Sequence, residues 1–221
     1  GAEAELADAR LAIEEGSEDP VPKLAEISTS RGPAGAEALA LMVERQIAAG
    51  QVPAQADVTT LSSMVGETAG TPLGAQVGHA YRLALAATGN YEQAFRQRAL
   101  APEAEVEIWR LLAGSGPDSA ILNHAVLAPD ATAPALPDKL RRDLAYRLLA
   151  LGLPQPAARW LPLAPASAED RLLAARLASA QGDSRKAEAL LSGGAGALTG
   201  EQVAAPAPAA PVPAAAPVPI A

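Results

Sequence analysis

The sequence predicts an all-α fold built from stacked helical hairpins, and three observations support this prediction. Aromatic residues make up only 3% of the 221 residues, so the core must be built mainly from leucine and alanine, and alanine has the highest helix propensity. Apolar residues recur three to four positions apart, whereas the alternation typical of strands is nearly missing. Glycines recur at intervals close to the length of a helix-turn-helix unit. We therefore expect no β-sheet.

Six glycines are predicted to end helices: Gly16, Gly50, Gly89, Gly116, Gly152 and Gly182. The intervals between them are 34, 39, 27, 36 and 30 residues. Glycine has no Cβ, so it can adopt a positive φ at the end of a helix and let the next helix fold back. In three of these turns an alanine follows five residues later, where a small side chain lets two helices pack closely: Gly89/Ala94, Gly152/Ala157 and Gly182/Ala187.

Twelve helices are predicted between these turns. They span residues 2–15, 21–29, 34–49, 54–66, 72–88, 91–99, 103–113, 117–127, 137–151, 155–160, 167–181 and 184–191. In five places a proline stands before or within the first turn, where its missing N–H costs nothing: Pro33, Pro72, Pro102, Pro117 and Pro137.

One β-branched run could suggest a strand, and it begins at Val58. However, Val58, Leu61 and Val65 lie three to four residues apart, so we interpret the run as helix. Stripes with the same spacing, such as Leu140, Leu144 and Leu148, are assigned to the core and not to a cofactor site.

The two ends of the chain differ in composition. Residues 1–192 contain all the predicted helices and form one domain long enough to bury a continuous core. Residues 193–221 begin with glycines and continue as an Ala/Pro-rich segment. Because proline lacks the N–H that a helix or sheet needs, we expect this segment to be a disordered, semi-rigid linker or tail.

The turn Gly89-Asn90-Tyr91, with Ala94 after it, resembles the tetratricopeptide repeat, in which Gly-Asp-Tyr-x-x-Ala opens the second helix. Gly182-Asp183 with Ala187 is similar, and the resemblance covers residues 77–99 and 171–191 best. It implies a right-handed stack of about six helical hairpins, an α-solenoid whose concave groove is lined by first helices and holds a peptide or helix of a partner protein. The alternative is a helical domain without repeats.

Charge and residue usage exclude several function classes. The net charge is −8, and a nucleic-acid-binding protein needs clustered Lys and Arg, so no nucleic-acid partner is expected. Cysteine is absent, which excludes disulfides and thiol catalysis. His79 and His124 lack the spacing of a metal pair and are interpreted as hydrogen-bonding residues on or between helices. We therefore expect no catalytic residue, no metal and no cofactor.

The compartment is left open by the sequence. No apolar run reaches the roughly 20 residues of a membrane-spanning helix, and the first residues lack the pattern of a signal peptide. The absence of cysteine fits an oxidising compartment, and an Ala/Pro spacer suits tethering. A periplasmic or cell-envelope location is therefore slightly favoured over the cytoplasm.

Five residues in the middle of the chain are the candidates for contact with a partner: Arg82, Arg96, Arg98, Tyr91 and Arg110. Arginine and tyrosine dominate binding hot spots, and a long charged side chain is rarely buried unpaired. The competing interpretation is a solvated helix face carrying i,i+4 pairs such as Glu92/Arg96. Tyr81 and Trp109 are assigned to the core.

These observations lead to the hypothesis of a non-enzymatic scaffold or adaptor that binds a peptide or helix of a partner protein, in a bacterial envelope assembly. The alternative is an assembly chaperone for one subunit of a secretion or motility machine. A helical enzyme is the third possibility, and it is disfavoured because the sequence shows no acid–base constellation.

Overall fold

The computed structural model describes residues 1–16, 19–127, 135–162 and 167–192, and within these ranges the chain is helical with no strand. The helices are α1 (Ala2–Glu15), α2 (Val21–Ser28), α3 (Pro33–Ala48), α4 (Gln55–Glu67), α5 (Pro72–Ala87), α6 (Tyr91–Arg96), α7 (Glu105–Ser115), α8 (Asp118–Ile121), α9 (Asp138–Ala150), α10 (Pro154–Ala158), α11 (Ala168–Ala180) and α12 (Ser184–Leu191). The all-α prediction is confirmed for this part of the chain. The predicted linker or tail at 193–221 lies outside the described residues.

Two predicted helices are shorter than expected. The helix predicted at 91–99 ends at Arg96 and continues as single turns of 3₁₀-helix, Arg98–Leu100 and Pro102–Ala104. Pro102 disfavours the helical conformation of the residue before it, and Ala101 is accordingly extended, with φ −159°. The helix predicted at 117–127 is α only in its first turn and then becomes a π-helix, Leu122–Leu127.

Five of the six glycines predicted to end helices have a positive φ. Gly16, Gly50, Gly89, Gly152 and Gly182 all have φ between +63° and +87°. At Gly89, the Asn90 N–H donates to the Leu85 carbonyl (2.8 Å) and the Gly89 N–H to the Ala86 carbonyl (2.9 Å). This is the Schellman arrangement that satisfies the last carbonyls of a helix, and the same pair of bonds recurs at Gly50, Gly152 and Gly182.

Gly116 also ends a helix as predicted, since it directly follows α7, but its φ is −62° and not positive. Pro117 follows and favours an extended conformation at the residue before it, and the ψ of Gly116 is 145°. Glycine is needed here for a different reason: a Cβ at this position would lie 2.6 Å from the carbonyl oxygen of Leu112.

Contacts between helices follow a regular order. Each odd-numbered helix packs against the even-numbered helix that follows it, and α1, α3, α5, α7, α9 and α11 form a series in which each member contacts the next. Alanine lines the close approaches, since Ala94, Ala157 and Ala187 are all buried, as the turn pattern predicts. Helices that follow one another in the chain therefore pack together, and the odd-numbered helices also contact one another in order.

The two tryptophans, which are the largest buried side chains, belong to an aromatic cluster. Phe95, Trp109, His124 and Trp160 stack in a chain of tilted ring pairs with centroids 4.5–5.2 Å apart. They come from α6, α7, the π-helix and the turn after α10. The Trp160 Nε1–H donates to the carbonyl of Ala125 at 3.0 Å, which links that turn to the π-helix.

Replacing Gly89 or Gly182 with alanine is expected to destabilise the fold by about 1–2 kcal/mol each, because an L-residue in the left-handed region brings its Cβ too close to the following carbonyl oxygen. No other atom lies within 4 Å of the added Cβ, so the backbone conformation alone sets this cost. Gly114 is the matched control: it lies within α7 with open space around it, and Gly114→Ala is expected to stabilise by about 0.5–1 kcal/mol. Urea denaturation measures all three, and equal effects at the three sites would contradict the assignment.

Candidate functional site

A concave surface lies where one face of each of α3, α5 and α7 meets. This α3–α5–α7 groove has a volume of about 620 Å³. Its lining comes from each of the three helices at helical spacing, together with the 3₁₀ turn before α7: Glu44, Ile47 and Ala48; His79 and Leu83; Glu103, Val106, Glu107 and Arg110.

The floor of the groove is apolar. Ile47 and Leu83 are buried, and Val106 is half-buried. Burial of apolar area at about 25 cal/mol per Å² is the main source of affinity available to such a surface. The groove can therefore take aliphatic groups from a ligand at its floor while its rim stays charged.

On the rim, a hydrogen bond between two side chains joins α3 and α5. Nδ1 of His79 lies 2.9 Å from Oε1 of Glu44, in a half-buried position. The hydrogen bond to Glu44 raises the pKa of His79 above its usual value of about 6.5, against the opposing effect of burial, and the charge of Glu103 acts in the same direction as Glu44. The interpretation of His79 as a hydrogen-bonding residue between helices is confirmed.

The two histidines are expected to titrate on opposite sides of pH 6.5, His79 above it and His124 below, because burial beside Phe95 lowers the pKa of His124. NMR titration of the Hε1 protons measures both. Glu44→Gln should lower the pKa of His79 and leave that of His124 unchanged. A shift at His124 without one at His79 would contradict the bond between His79 and Glu44.

The same bond makes the stability of the fold depend on pH. Its contribution to the free energy of unfolding is present in full below pH about 6.5 and is lost as the pH rises through the raised pKa of folded His79.

The five residues predicted to contact a partner differ in their exposure and in the groups that they bind. Arg110 is exposed on the rim of the groove, where it binds Glu107. Arg96 is 71% exposed and pairs with Glu92 at 2.7 Å, which is the i,i+4 pair anticipated for a solvated face. Tyr91 is buried, so its ring is not available to a partner.

Arg82 contradicts the expectation that its charge would be exposed, since the side chain is completely buried. Its guanidinium donates to Glu105 Oε2 at 2.8 Å, to the Ala94 carbonyl at 2.9 Å and to the Ala101 carbonyl. Arg98 is 39% exposed and binds both oxygens of the same Glu105 carboxylate, at 2.8 and 3.3 Å. This Arg82–Glu105–Arg98 network joins α5 and α7 to the irregular segment between α6 and α7.

Other arginines have the same structural role. Arg147 of α9 donates to the carbonyls of Ala113 and Gly116, at the end of α7, at 3.1 and 2.9 Å. Arg142 binds Asp170 at 2.8 Å and so connects α9 to the capping box that begins α11. In an alanine-rich chain, long arginine side chains fill and bridge the spaces between helices that short side chains leave.

Of the nine residues that line the groove, only Arg110 was predicted from the sequence to contact a partner. The three carboxylates were not: Glu44, Glu103 and Glu107. Each lies on an odd-numbered helix or in the turn before one. These positions can be recognised as one site only when the packing of α3, α5 and α7 is known.

No group of three or more His, Cys, Asp or Glu side chains that could hold a metal ion occurs among the described residues. None of the helices in that part of the chain is both long and apolar enough to cross a membrane. No family model matches the chain, and comparisons with curated proteins and with solved structures gave no match.

Proposed function

We propose that this protein is a non-enzymatic scaffold that binds a peptide or helix of a partner protein in the α3–α5–α7 groove. The observation that carries the proposal is that three successive odd-numbered helices present one face each to a single groove. A groove of this kind, with an apolar floor and a charged rim, suits an extended or helical segment that lays apolar side chains inward.

The order of helix contacts supports a solenoid. Six consecutive helix pairs whose first helices form a continuous series are what a stack of hairpins requires, and four identical glycine turns recur along it. We accordingly propose a right-handed stack of about six hairpins, similar to tetratricopeptide repeats. Such stacks bury a core between neighbours and leave a long surface for binding.

A blocked groove tests the proposal. Ala48 is exposed on the groove wall, and Ala48→Trp is expected to fill the groove and abolish partner binding while the thermal melt changes little. Ala189→Trp on the exposed side of α12 is the matched control and should bind normally. Affinity capture from the source organism with wild type and both variants, followed by mass spectrometry, identifies proteins lost only with Ala48→Trp. If both variants retain the same partners, the groove is not the binding site.

We further propose that the scaffold works in a bacterial cell envelope, where its cysteine-free composition is suitable and the Ala/Pro-rich segment would tether it. The alternative, an assembly chaperone, is separated from a scaffold by stoichiometry and lifetime. A scaffold stays in the finished assembly at a defined ratio, whereas a chaperone leaves it. Fractionation of cells and quantification of the protein in the isolated complex decide both questions.

A further inference from the structure

We infer that the segment bound in the α3–α5–α7 groove is a cationic amphipathic helix, with aliphatic side chains on one face flanked by Lys or Arg. This inference rests on the proposed function and specifies the chemistry of its partner. Two properties of the groove carry it, the composition of its floor and the balance of charge around it.

The charge balance is negative. Three carboxylates line the groove, those of Glu44, Glu103 and Glu107, against one guanidinium, that of Arg110. With His79 neutral, two negative charges are left around the apolar floor. A partner segment with an acidic flank would meet like charge there, and like-charge contacts across an interface are strongly disfavoured.

The three carboxylates differ in what already binds them. Glu107 is occupied by Arg110, and Glu44 accepts a hydrogen bond from His79. Glu103 is exposed at the 3₁₀ turn, and none of the ion pairs among the described residues includes it. It therefore offers a carboxylate to an incoming cation without first losing an internal partner, whereas a cation at Glu44 competes with His79.

The apolar floor specifies the other half of the ligand. Ile47, Leu83 and Val106 come from three different helices and line one groove, so they can receive a stripe of aliphatic side chains. A helix presents such a stripe at i, i+3, i+4 and i+7, with its long Lys and Arg side chains reaching the rim on either side. A purely charged, extended segment would leave the floor uncovered.

This arrangement makes binding depend on pH. Three charged groups change the pKa of His79: Glu44 from α3 and Glu103 from the turn before α7 raise it, and Arg82 from its own helix lowers it. When His79 is protonated, its charge partly neutralises the two carboxylates and opposes a cationic ligand. The affinity for a cationic helix should therefore increase as the pH rises through the titration of His79, and Glu103→Gln or Glu44→Gln should weaken it.

The test is selection from a displayed library of random 16-residue peptides on the folded protein, with counter-selection on Ala48→Trp. Peptides that bind wild type but not the blocked variant, and that combine an i/i+3/i+4 aliphatic stripe with an excess of Lys and Arg, support the inference. Groove-dependent peptides that are acidic or uncharged overturn it and leave the proposed function intact. Failure to recover any groove-dependent peptide overturns the proposed function itself.

A selected peptide then serves as the probe for charge. The double variant Glu44→Gln/Glu103→Gln should weaken its binding at least about threefold at 0.1 M salt, since one half-buried and one exposed carboxylate lose their charge. The matched control is Glu67→Gln/Glu188→Gln, which changes the net charge equally at exposed positions outside the groove. Equal weakening by both double variants would overturn the inference, because it would show a general effect of net charge.

Discussion

Arg82→Met is expected to destabilise the protein by about 3–5 kcal/mol, the cost of removing one partner from a buried ion pair. The substitution keeps an apolar side chain of comparable length in the space. However, it removes the guanidinium that donates to the buried carbonyls of Ala94 and Ala101 and leaves Glu105 with Arg98 alone. Among the described residues, the Ala101 carbonyl then keeps only the bond from the Ala104 N–H, at 3.1 Å. Chemical denaturation at 25 °C measures the change in the free energy of unfolding.

Arg96→Met is the matched control for this prediction. Arg96 makes a bond of similar length, 2.7 Å to Glu92, but its side chain is exposed. Solvent screening and side-chain entropy reduce such a pair to less than about 0.5 kcal/mol. If Arg82→Met and Arg96→Met cost the same, the buried network does not hold the segment between α6 and α7 in place.

Trp109→Ala is the second substitution with a large expected effect, a loss of about 3–5 kcal/mol. Trp109 is completely buried and stacks between Phe95 and Trp160, with centroids 5.0 and 5.2 Å away, so its removal opens a cavity in the centre of the fold. Thermal and urea denaturation with both far- and near-UV circular dichroism measure the loss and show whether the remaining rings stay ordered.

A pair of milder substitutions separates ring packing from hydrogen bonding. Trp160→Phe removes the bond from Nε1 to the Ala125 carbonyl, whereas the Nε1 of Trp109 has no hydrogen-bond partner among the described residues. Trp160→Phe should therefore cost more than Trp109→Phe, by about 1 kcal/mol, the net value of a typical hydrogen bond. The opposite order would contradict the hydrogen bond from Trp160 to Ala125.

The arginines are the clearest point at which sequence interpretation and structure diverge. Arg82, Arg96 and Arg98 were grouped because all three are long, charged and close together in the chain. The structure places them at 0%, 71% and 39% side-chain exposure. Burial of Arg82 is possible because a carboxylate and two backbone carbonyls converge on it, and those partners lie 12 to 23 residues away.

The sequence by itself determined the helices and most of their turns. Helix propensity, the three-to-four periodicity and the need for a positive φ at a helix end all depend on residues within about five positions, and these can be read directly. Gly89, Gly152 and Gly182 are therefore in the predicted conformation, and the helix bounds agree closely except at the two shortened helices, α6 and α8. The exception at Gly116 is also local, because the proline after it sets the backbone.

Only the tertiary structure decided which faces meet and which charges are buried. The contacts that build the groove and its supports join residues far apart in the chain: His79 with Glu44 across 35 positions, Arg82 with Glu105 across 23, and Arg147 with Gly116 across 31. A helix presents residues in every direction around its axis, so its sequence shows the apolar stripe but not the neighbour that covers each polar position. The packing of α3, α5 and α7 side by side supplies those neighbours, and it turns separate glutamates and a histidine into one groove.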